Sequence, residues 1–164
     1  PVPMTFEQLC DNTDDCKNTK LNNLAVGNKT QELEIFYDPK DLGKSSIVPE
    51  SSASKKKVKT KVITIDEYFT ENKMEYLDFV KCDIEGYELH AMQGMFETLR
   101  KFLPRLSIEV SVPVKERLEL MELLNEIGYD RFKRIECNYP LMSPEQDLYS
   151  DEFFYLNAFS SKNP

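Results

Sequence analysis

The most informative pattern of hydrophobic and polar positions lies between residues 76 and 103. An apolar run ends in two acidic residues and a glycine, within the string Tyr76-Leu-Asp-Phe-Val-Lys-Cys-Asp-Ile-Glu-Gly-Tyr-Glu-Leu-His90. Apolar positions then recur at helical spacing, at Leu89, Met92, Phe96, Leu99 and Leu103. The pattern predicts a buried strand over 77–82 and a helix over 86–100 that ends before Pro104. Charges that follow a strand so closely are expected to face a crevice at the carboxyl end of a sheet.

The rest of the chain shows alternating and helical patterns that predict a mixed α/β fold. Helices are expected over 6–12, 66–72 and 115–127. The first two begin at the capping boxes Thr5–Gln8 and Thr64–Glu67, and Gly128 closes the last. Further strands are expected over 21–26, 32–37, 45–48, 59–63, 105–110, 129–136 and 152–159. This order predicts a mainly parallel sheet with helices on both faces, ending in an antiparallel hairpin.

Composition and charge limit the functional classes. The chain has 164 residues, 40% hydrophobic and 30% charged, which is typical of one soluble domain. Its net charge of −8 argues against nucleic acid or an anionic membrane surface as a partner. No apolar run approaches the ~20 residues of a membrane span, so the cytoplasm is favoured. A secreted or membrane-tethered parent stays open because the chain starts at Pro1. Residues 49–57 have the composition of a flexible loop inside the domain.

Motifs for zinc, phosphate loops and nucleophilic serine are missing from the sequence. The four cysteines form no C-x-x-C pair, and Cys82 is expected to be a buried thiol inside a strand. The five glycines are too scattered for a phosphate-binding loop. His90 is the single histidine, and a packed or surface position is its expected role. No metal site is therefore assigned, and the oligomeric state is left open.

Asp83 and Glu85 are the leading candidates for chemistry. Asp83 follows the strand directly and could serve as the N-cap of the next helix, a structural role compatible with function. Glu85 is then expected in the first helical turn, where its charge suits the helix dipole. Gly86 has no capping reason at that position, so it would allow a ligand or another backbone to approach closely.

Glu109 is the third candidate, because it lies inside the strand over 105–110. If that strand neighbours the one before Asp83, the two carboxylates share one crevice; otherwise Glu109 faces solvent or a sheet edge. Three acids together could bind Mg²⁺ or Ca²⁺, or act as a general base or as acceptors for a substrate hydroxyl. From pattern alone, the chain is an α/β domain with an acidic crevice.

Several segments, in order, resemble the FkbM-type S-adenosylmethionine-dependent methyltransferases. Phe79-Val-Lys-Cys-Asp-Ile-Glu-Gly-Tyr-Glu88 is similar to the K-x-D-x-E-G-x-E signature of that family, and it is the specific part of the match. Supporting similarities are Asn23–Asn28, Val62–Tyr68, Gly94 and Leu106–Val110, together with the first nine residues. The resemblance implies a Rossmann-like class I methyltransferase sheet, truncated before strand three, and the chain as one partial domain.

The resemblance also implies a cofactor and roles for individual residues. Asp83 and Glu85 would face the methyl group of S-adenosylmethionine and the substrate, to orient or deprotonate an acceptor hydroxyl, and Glu109 would be a secondary polar contact. Ala25, Val26 and Gly27 would lie near the adenine. In the family, a glycine-rich loop and a ribose-binding acid precede the segment that Pro1 begins, so the isolated chain is expected to bind the cofactor poorly.

A small-molecule or sugar hydroxyl is the acceptor that the resemblance implies. Two alternatives remain beside this interpretation. One is a non-catalytic α/β interaction module that lacks the cofactor loop. The other is a metal-dependent hydrolase that uses Asp83, Glu85 and Glu109, which requires the three carboxylates to converge.

Overall fold

The chain forms eight strands and five helices within its described part. The structure, a computed structural model, describes residues 1–39, 41–46, 56–110, 113–135 and 154–163. In chain order the elements are α1 (Pro3–Asn12), β1 (Ala25–Val26), β2 (Gln31–Asp38), β3 (Asp41–Ser46), β4 (Lys56–Ile63), α2 (Ile65–Glu71), β5 (Phe79–Cys82), α3 (Glu88–Gln93), α4 (Phe96–Phe102), β6 (Arg105–Val110), α5 (Val114–Ile127), β7 (Arg131–Ile135) and β8 (Phe154–Phe159). Most of the predicted flexible loop, and the loop between β7 and β8, lie outside the described residues.

The first sheet has the strand order β1-β4-β2-β3. β1 lies parallel to β4, whereas β2 pairs antiparallel with both β4 and β3. Polar and apolar positions alternate along β2 and β4, so one face of the sheet is apolar. That face carries a small core of Val2, Ala25, Ile35 and Val62. Burial of Val2 places the residue that precedes α1 against this sheet.

The second sheet has the order β5-β6-β8-β7 and carries the main core. β5 and β6 are parallel, and the predicted C-terminal antiparallel hairpin of β7 and β8 is confirmed. The expected single, mainly parallel sheet is not confirmed. Among the described strands, two pairs are parallel and four are antiparallel, in two separate sheets. The difference arises because β2 and β3 fold back onto β4, and because β8 lies between β6 and β7.

The predicted helix over 86–100 is wrong in one respect, because it is two helices. α3 ends at Gly94, and α4 starts after Met95. Gly94 lies against the backbone of Gly27, and its carbonyl accepts a hydrogen bond from the Asp66 amide at 3.1 Å. The Asp66 carboxylate in turn accepts from the amides of Glu97 (3.2 Å) and Thr98 (2.8 Å). A distant side chain therefore caps α4 and ends the continuous helix at Gly94.

The other helix ends agree only partly with prediction. Thr64 caps α2 as expected, because its hydroxyl accepts from the Glu67 amide at 3.1 Å. The predicted box at Thr5 is wrong: α1 begins at Pro3, after Val2, where proline suits the first helical position. α5 packs on the main core and ends, as predicted, at Gly128, whose φ of 123° few other residues adopt.

Tyr129 and Cys82 are both buried in the main core. The buried Tyr129 hydroxyl donates to the Pro104 carbonyl at 2.8 Å, which ties the end of α5 to the start of β6. Cys82 is buried as expected, and burial raises the pKa of its thiol to about 12, so it stays protonated. Among the described helices, none has the length and apolar character needed to cross a bilayer.

Candidate functional site

The candidate site lies where β5 and β6 end side by side. The two strands are parallel, with Cys82 opposite Ile108, so Asp83 and Glu109 follow at adjacent positions. One ligand oxygen from each of Asp83, Glu85 and Glu109 lies within 4.8 Å of the other two. The structure thus brings all three predicted acids together in one crevice. Parallel strands deliver their carboxyl ends to the same edge of a sheet, which explains the convergence.

The turn between β5 and α3 has an unusual backbone. Glu85 and Gly86 both adopt positive φ, 55° and 92° respectively. The first helical residue is Glu88, after Tyr87 at the N-cap, and no side chain caps the helix. The expectation that Asp83 is the N-cap and that Glu85 lies in the first helical turn is therefore wrong. The positive φ explains the glycine at position 86, since L-residues rarely adopt it.

Glu88 stabilises this turn through hydrogen bonds to its backbone, and sequence reasoning did not single this residue out. Its side chain is fully buried, and Oε1 accepts from the amides of Ile84 (3.1 Å) and Gly86 (3.2 Å). These two bonds pair amides of the turn itself, before the helix begins. Burial raises the pKa of Glu88, and its Oε2 has no hydrogen-bond partner. The acid at the fourth position after Ile84 was the available signal, because a carboxylate so close to an open turn can reach back to it.

Asp83 lies between two side chains that sequence reasoning missed. Its Oδ2 accepts from the Lys81 ammonium at 2.6 Å and from the Tyr155 hydroxyl at 3.0 Å. The hydrogen bond from Lys81 is the main reason that the pKa of Asp83 is lowered. Tyr155 reaches the site because β8 pairs with β6 and places it opposite Glu109. Asp83 is therefore ionised at neutral pH, and its Oδ2 accepts both of these hydrogen bonds.

Glu109 has the opposite electrostatic character. Only 9% of the residue is exposed, and its Oε2 has no hydrogen-bond partner. Burial, followed by the negative charges of Asp83, Glu85 and Glu88, raises its pKa to about 7. A hydrogen bond with Asp83 adds to the shift, since a proton shared by the two carboxyls resides on Glu109. Glu109 can thus change its protonation state near neutral pH, which Asp83 cannot.

The residues expected near the adenine lie beside this crevice. Ala25 is buried in the core of the first sheet, and Val26 packs against the main core. Gly27 is buried: a Cβ there would lie 3.0 Å from the Tyr87 ring. The Tyr87 ring stacks on His90, with centroids 4.3 Å apart and planes 3° apart. Tyr87 thereby connects the end of β1 to the turn that carries the acids.

The raised pKa of Glu109 predicts a specific dependence of stability on pH. An acid with a higher pKa in the folded state keeps its proton longer there, so folding is favoured below the unfolded pKa of 4.5. That contribution is lost as the pH rises from about 4.5 through about 7. Glu109→Gln is expected to remove it, up to about 3 kcal/mol, and to flatten the pH dependence. Urea unfolding of both proteins at pH 5 and pH 8, in buffer with a chelator, measures the difference.

The comparison of Glu109→Gln with the unchanged chain at low pH serves as an internal control for the free energy of unfolding. At pH 5 the protonated Glu109 and glutamine have similar shape and neither is charged, so the two free energies of unfolding should be close. At pH 8 the variant should be the more stable protein. Equal slopes of stability against pH in the two proteins would contradict the shifted pKa.

Three comparisons with known proteins bear on this site. Residues 1–131 match the family model described as the methyltransferase FkbM domain. The hexuronic acid methyltransferase AglP of Haloferax volcanii is 28% identical over 100 residues, which cover 61% of this chain and 41% of that protein. The crystal structure of methyltransferase FkbM from Methylobacillus flagellatus KT matches with a TM-score of 0.55 at 18% identity, covering 95% of this chain and 33% of that chain.

The two relatives differ in what they support. The structural likeness, at 18% identity, supports the fold alone. The chain spans less than half the length of either relative. The family match covers most of the chain and includes the turn that carries the acids. The chain therefore belongs to the FkbM methyltransferase domain family.

Proposed function

We propose that this chain is part of an S-adenosylmethionine-dependent methyltransferase that methylates a hydroxyl of a sugar or another small molecule. Membership of the FkbM domain family supports methyl transfer. One relative is named for a hexuronic acid, which favours a sugar as the acceptor. The chain spans 41% of that relative, so the activity is proposed for the whole natural protein, with any sequence that flanks this chain in it.

The observation that carries the proposal is the opposite shift of two neighbouring carboxyl groups. The pKa of Asp83 is lowered, and the pKa of Glu109 is raised to about 7. A general base works best with a pKa near the working pH, and a fixed negative charge works best when it stays ionised. We assign proton uptake from the acceptor hydroxyl to Glu109. Asp83 orients that hydroxyl by accepting a hydrogen bond on the oxygen not used by Lys81 and Tyr155.

Glu85 completes the acidic side of the crevice. Its ligand oxygen lies within 4.8 Å of those of Asp83 and Glu109, and its side chain is exposed. Its side chain can rotate to accept a hydrogen bond from a second hydroxyl of a sugar, because sugars carry hydroxyl groups on adjacent carbons. Holding the acceptor at two points fixes the reacting oxygen in place, which is a large part of catalysis in group transfer.

The charge of the crevice fits a positively charged cofactor, although the chain has no glycine-rich loop to hold the rest of the cofactor. Bound S-adenosylmethionine supplies a methyl group on a cationic sulfur, which needs no further activation. Three carboxylates and one lysine leave the crevice net negative, which suits such a cation. In this proposal Asp83 holds the cofactor side as well as the acceptor, and Ala25, Val26 and Gly27 line the adenine end. The glycines of this chain are scattered, so they form no glycine-rich loop that could hold the methionine part of the cofactor.

The architecture supports a Rossmann-like sheet as part of the proposal. Both sheets end in an edge strand that has one parallel neighbour: β1 beside β4, and β5 beside β6. A class I methyltransferase sheet has parallel strands between these two edges. We infer that the whole chain belongs to one such domain, and that the two sheets are parts of one larger sheet.

The alternatives predict different behaviour. The converging carboxylates meet the requirement for a metal-dependent hydrolase, but family membership favours methyl transfer. A non-catalytic module would transfer no methyl group to any acceptor.

The test is transfer of labelled methyl groups by the natural protein. The protein is incubated with methyl-labelled S-adenosylmethionine and a panel of acceptors: uronic acids, neutral hexoses and the same sugars with the hydroxyls already methylated. Label is expected on a free hydroxyl and not on the blocked sugars. Glu109→Gln is expected to lower the rate by about 100-fold or more. Glu126→Gln, an exposed acid on α5, is the matched control and should leave it unchanged.

Calorimetry with the chain alone adds a second readout. Because the described residues provide no glycine-rich loop, this chain by itself is expected to bind S-adenosylmethionine weakly. Micromolar binding by the chain alone would refute that part. Cofactor binding by the natural protein without transfer to any hydroxyl would count against the proposed reaction and favour the interaction module.

A further inference from the structure

The crevice acids have the geometry of a site for a metal cation. One oxygen of each of Asp83, Glu85 and Glu109 lies within 4.8 Å of the other two. For any three such atoms, some point lies within about 2.8 Å of all of them, and a small rotation of an exposed side chain shortens these distances to the ~2.3–2.6 Å of Ca²⁺–oxygen bonds. Glu85 is exposed and can make that adjustment.

A second, independent observation concerns Glu109. Only 9% of the residue is exposed, and its Oε2 is shielded from solvent without a hydrogen-bond partner. A buried carboxylate oxygen without a partner is costly, because it has lost water and gained nothing in return. This residue supplies one of the three convergent ligand atoms. Its hydrogen bond with Asp83 leaves Oε2 without a partner, and a cation between the acids would give the carboxylate a second one.

The position of Lys81 points in the same direction. Its ammonium lies 2.6 Å from Asp83 Oδ2, so the crevice already attracts one positive charge. Three carboxylates against one ammonium leave an excess of about two negative charges when all are ionised. Lys81 is 57% exposed at its side chain and can swing into solvent when a stronger cation arrives. An excess of that size fits a divalent ion.

We propose that Asp83, Glu85 and Glu109 bind a divalent metal cation of the Ca²⁺ size class. Oxygen-only ligands select hard cations. Mg²⁺ demands bonds of about 2.0–2.1 Å in near-octahedral geometry, whereas Ca²⁺ accepts longer bonds and irregular arrangements. Glu85 is exposed on an irregular turn, and an adaptable ligand of that kind suits Ca²⁺ better than the strict octahedron of Mg²⁺. Water completes the coordination shell.

The metal site goes beyond the proposed methyl transfer and does not depend on it. A carboxylate has two oxygens, so coordination of the cation through one leaves the other of Glu109 to accept a hydrogen bond. The cation would also offer a coordination position to an acceptor hydroxyl. Binding of the metal and transfer of the methyl group are measured separately, so failure of one leaves the other intact.

The chelator-treated chain is titrated with Ca²⁺ and with Mg²⁺ by calorimetry at pH 7.5. Trimethylsulfonium, an organic cation with the charged sulfur of the cofactor, is titrated in the same way. Ca²⁺ is expected to bind with one site and a dissociation constant of roughly 10⁻⁴ M, at least tenfold more tightly than Mg²⁺. Glu85→Gln is expected to weaken Ca²⁺ binding at least tenfold. It replaces an exposed side chain, so the fold should persist, which circular dichroism verifies. Glu126→Gln is the matched control, away from the crevice, and should bind as the unchanged chain does.

Thermal unfolding gives an independent readout, because a ligand that binds only the folded chain raises its midpoint. Millimolar Ca²⁺ is expected to raise the midpoint of the unchanged chain and of Glu126→Gln, but to do so less for Glu85→Gln. The proposal is overturned if no Ca²⁺ binding is detected at a Ca²⁺ concentration about 10-fold above the expected dissociation constant. It is equally overturned if Glu85→Gln and Glu126→Gln bind alike, or if only the organic cation binds at these acids.

Discussion

Asp83→Asn is expected to lower the methyl-transfer rate of the natural protein by two to four orders of magnitude, about 10²–10⁴-fold. Asparagine keeps the size of the side chain and removes its charge. The crevice then loses the anion that holds the Lys81 ammonium at 2.6 Å and the Tyr155 hydroxyl at 3.0 Å. It also loses the fixed acceptor that orients the substrate hydroxyl. Rates with labelled cofactor, at saturating acceptor, measure the effect.

The pH profile separates this role from a merely structural one. The charge of Asp83 is the largest cause, after burial, of the raised pKa of Glu109. Without that charge the pKa of Glu109 falls, so the acidic limb of the rate profile should move to lower pH in Asp83→Asn. In the unchanged protein that limb is expected at about 7. A loss of packing would lower the rate without moving the limb.

A matched control lies at the other end of the same strand. Asp78 precedes β5 and is exposed, and its carbonyl accepts a hydrogen bond from the Arg105 amide, which asparagine preserves. Asp78→Asn should therefore keep both rate and pH profile. If Asp83→Asn transferred methyl groups at the unchanged rate, the assignment of the crevice as the reacting site would be wrong.

The convergence of the three acids could be predicted from the sequence because the signal is local. The apolar run that forms β5 ends at Cys82, and the next charged residues have to leave the core there. β6 carries Glu109 at the matching position, so parallel pairing was enough to bring the acids together. What the pattern could not supply was the chemistry of each acid. Glu109 was expected to be a secondary contact, whereas its burial raises its pKa to about 7, and for this reason the proposal assigns proton uptake to it.

The errors share one physical cause, which is contact between distant parts of the chain. Asp83 has the sequence signature of a helix cap, but Glu88 takes the amides of the turn and leaves Asp83 to Lys81. Tyr155 approaches only through the register of β8 on β6, more than 70 positions away from Asp83. Local pattern contains no information on such partners.

The break between α3 and α4 shows the same limit. Apolar positions continue at helical spacing through Leu89, Met92, Phe96 and Leu99, and all four contribute to the main core. The periodicity is real, so both helices present the same face. The interruption is set by the backbone of β1 and by the carboxylate of Asp66, neither of which is near in sequence.

Gly94→Ala is expected to destabilise the chain by about 3–5 kcal/mol, the largest effect of a single methyl group that the structure predicts. Gly94 has φ of −79°, so alanine meets no backbone strain there. Its Cβ, however, would overlap the carbonyl oxygen of Gly27 and lie 2.8 Å from the carbonyl carbon. Both atoms belong to Gly27, the residue that follows β1. The Gly27 amide donates a hydrogen bond to the Ile63 carbonyl at 3.0 Å, which fixes this backbone in place. Gly27 cannot move without breaking that pairing, and Gly94 is held by the hydrogen bond that its carbonyl accepts from the Asp66 amide.

Gly86→Ala is the control that isolates the collision from the general loss of a glycine. Gly86 has φ of 92°, but nothing lies within 4 Å of the added Cβ, so the cost is backbone strain alone, roughly 1 kcal/mol. Urea unfolding of the two variants is therefore expected to give a much lower midpoint for Gly94→Ala. Equal midpoints would mean that α3 does not lie against the end of β1 in solution.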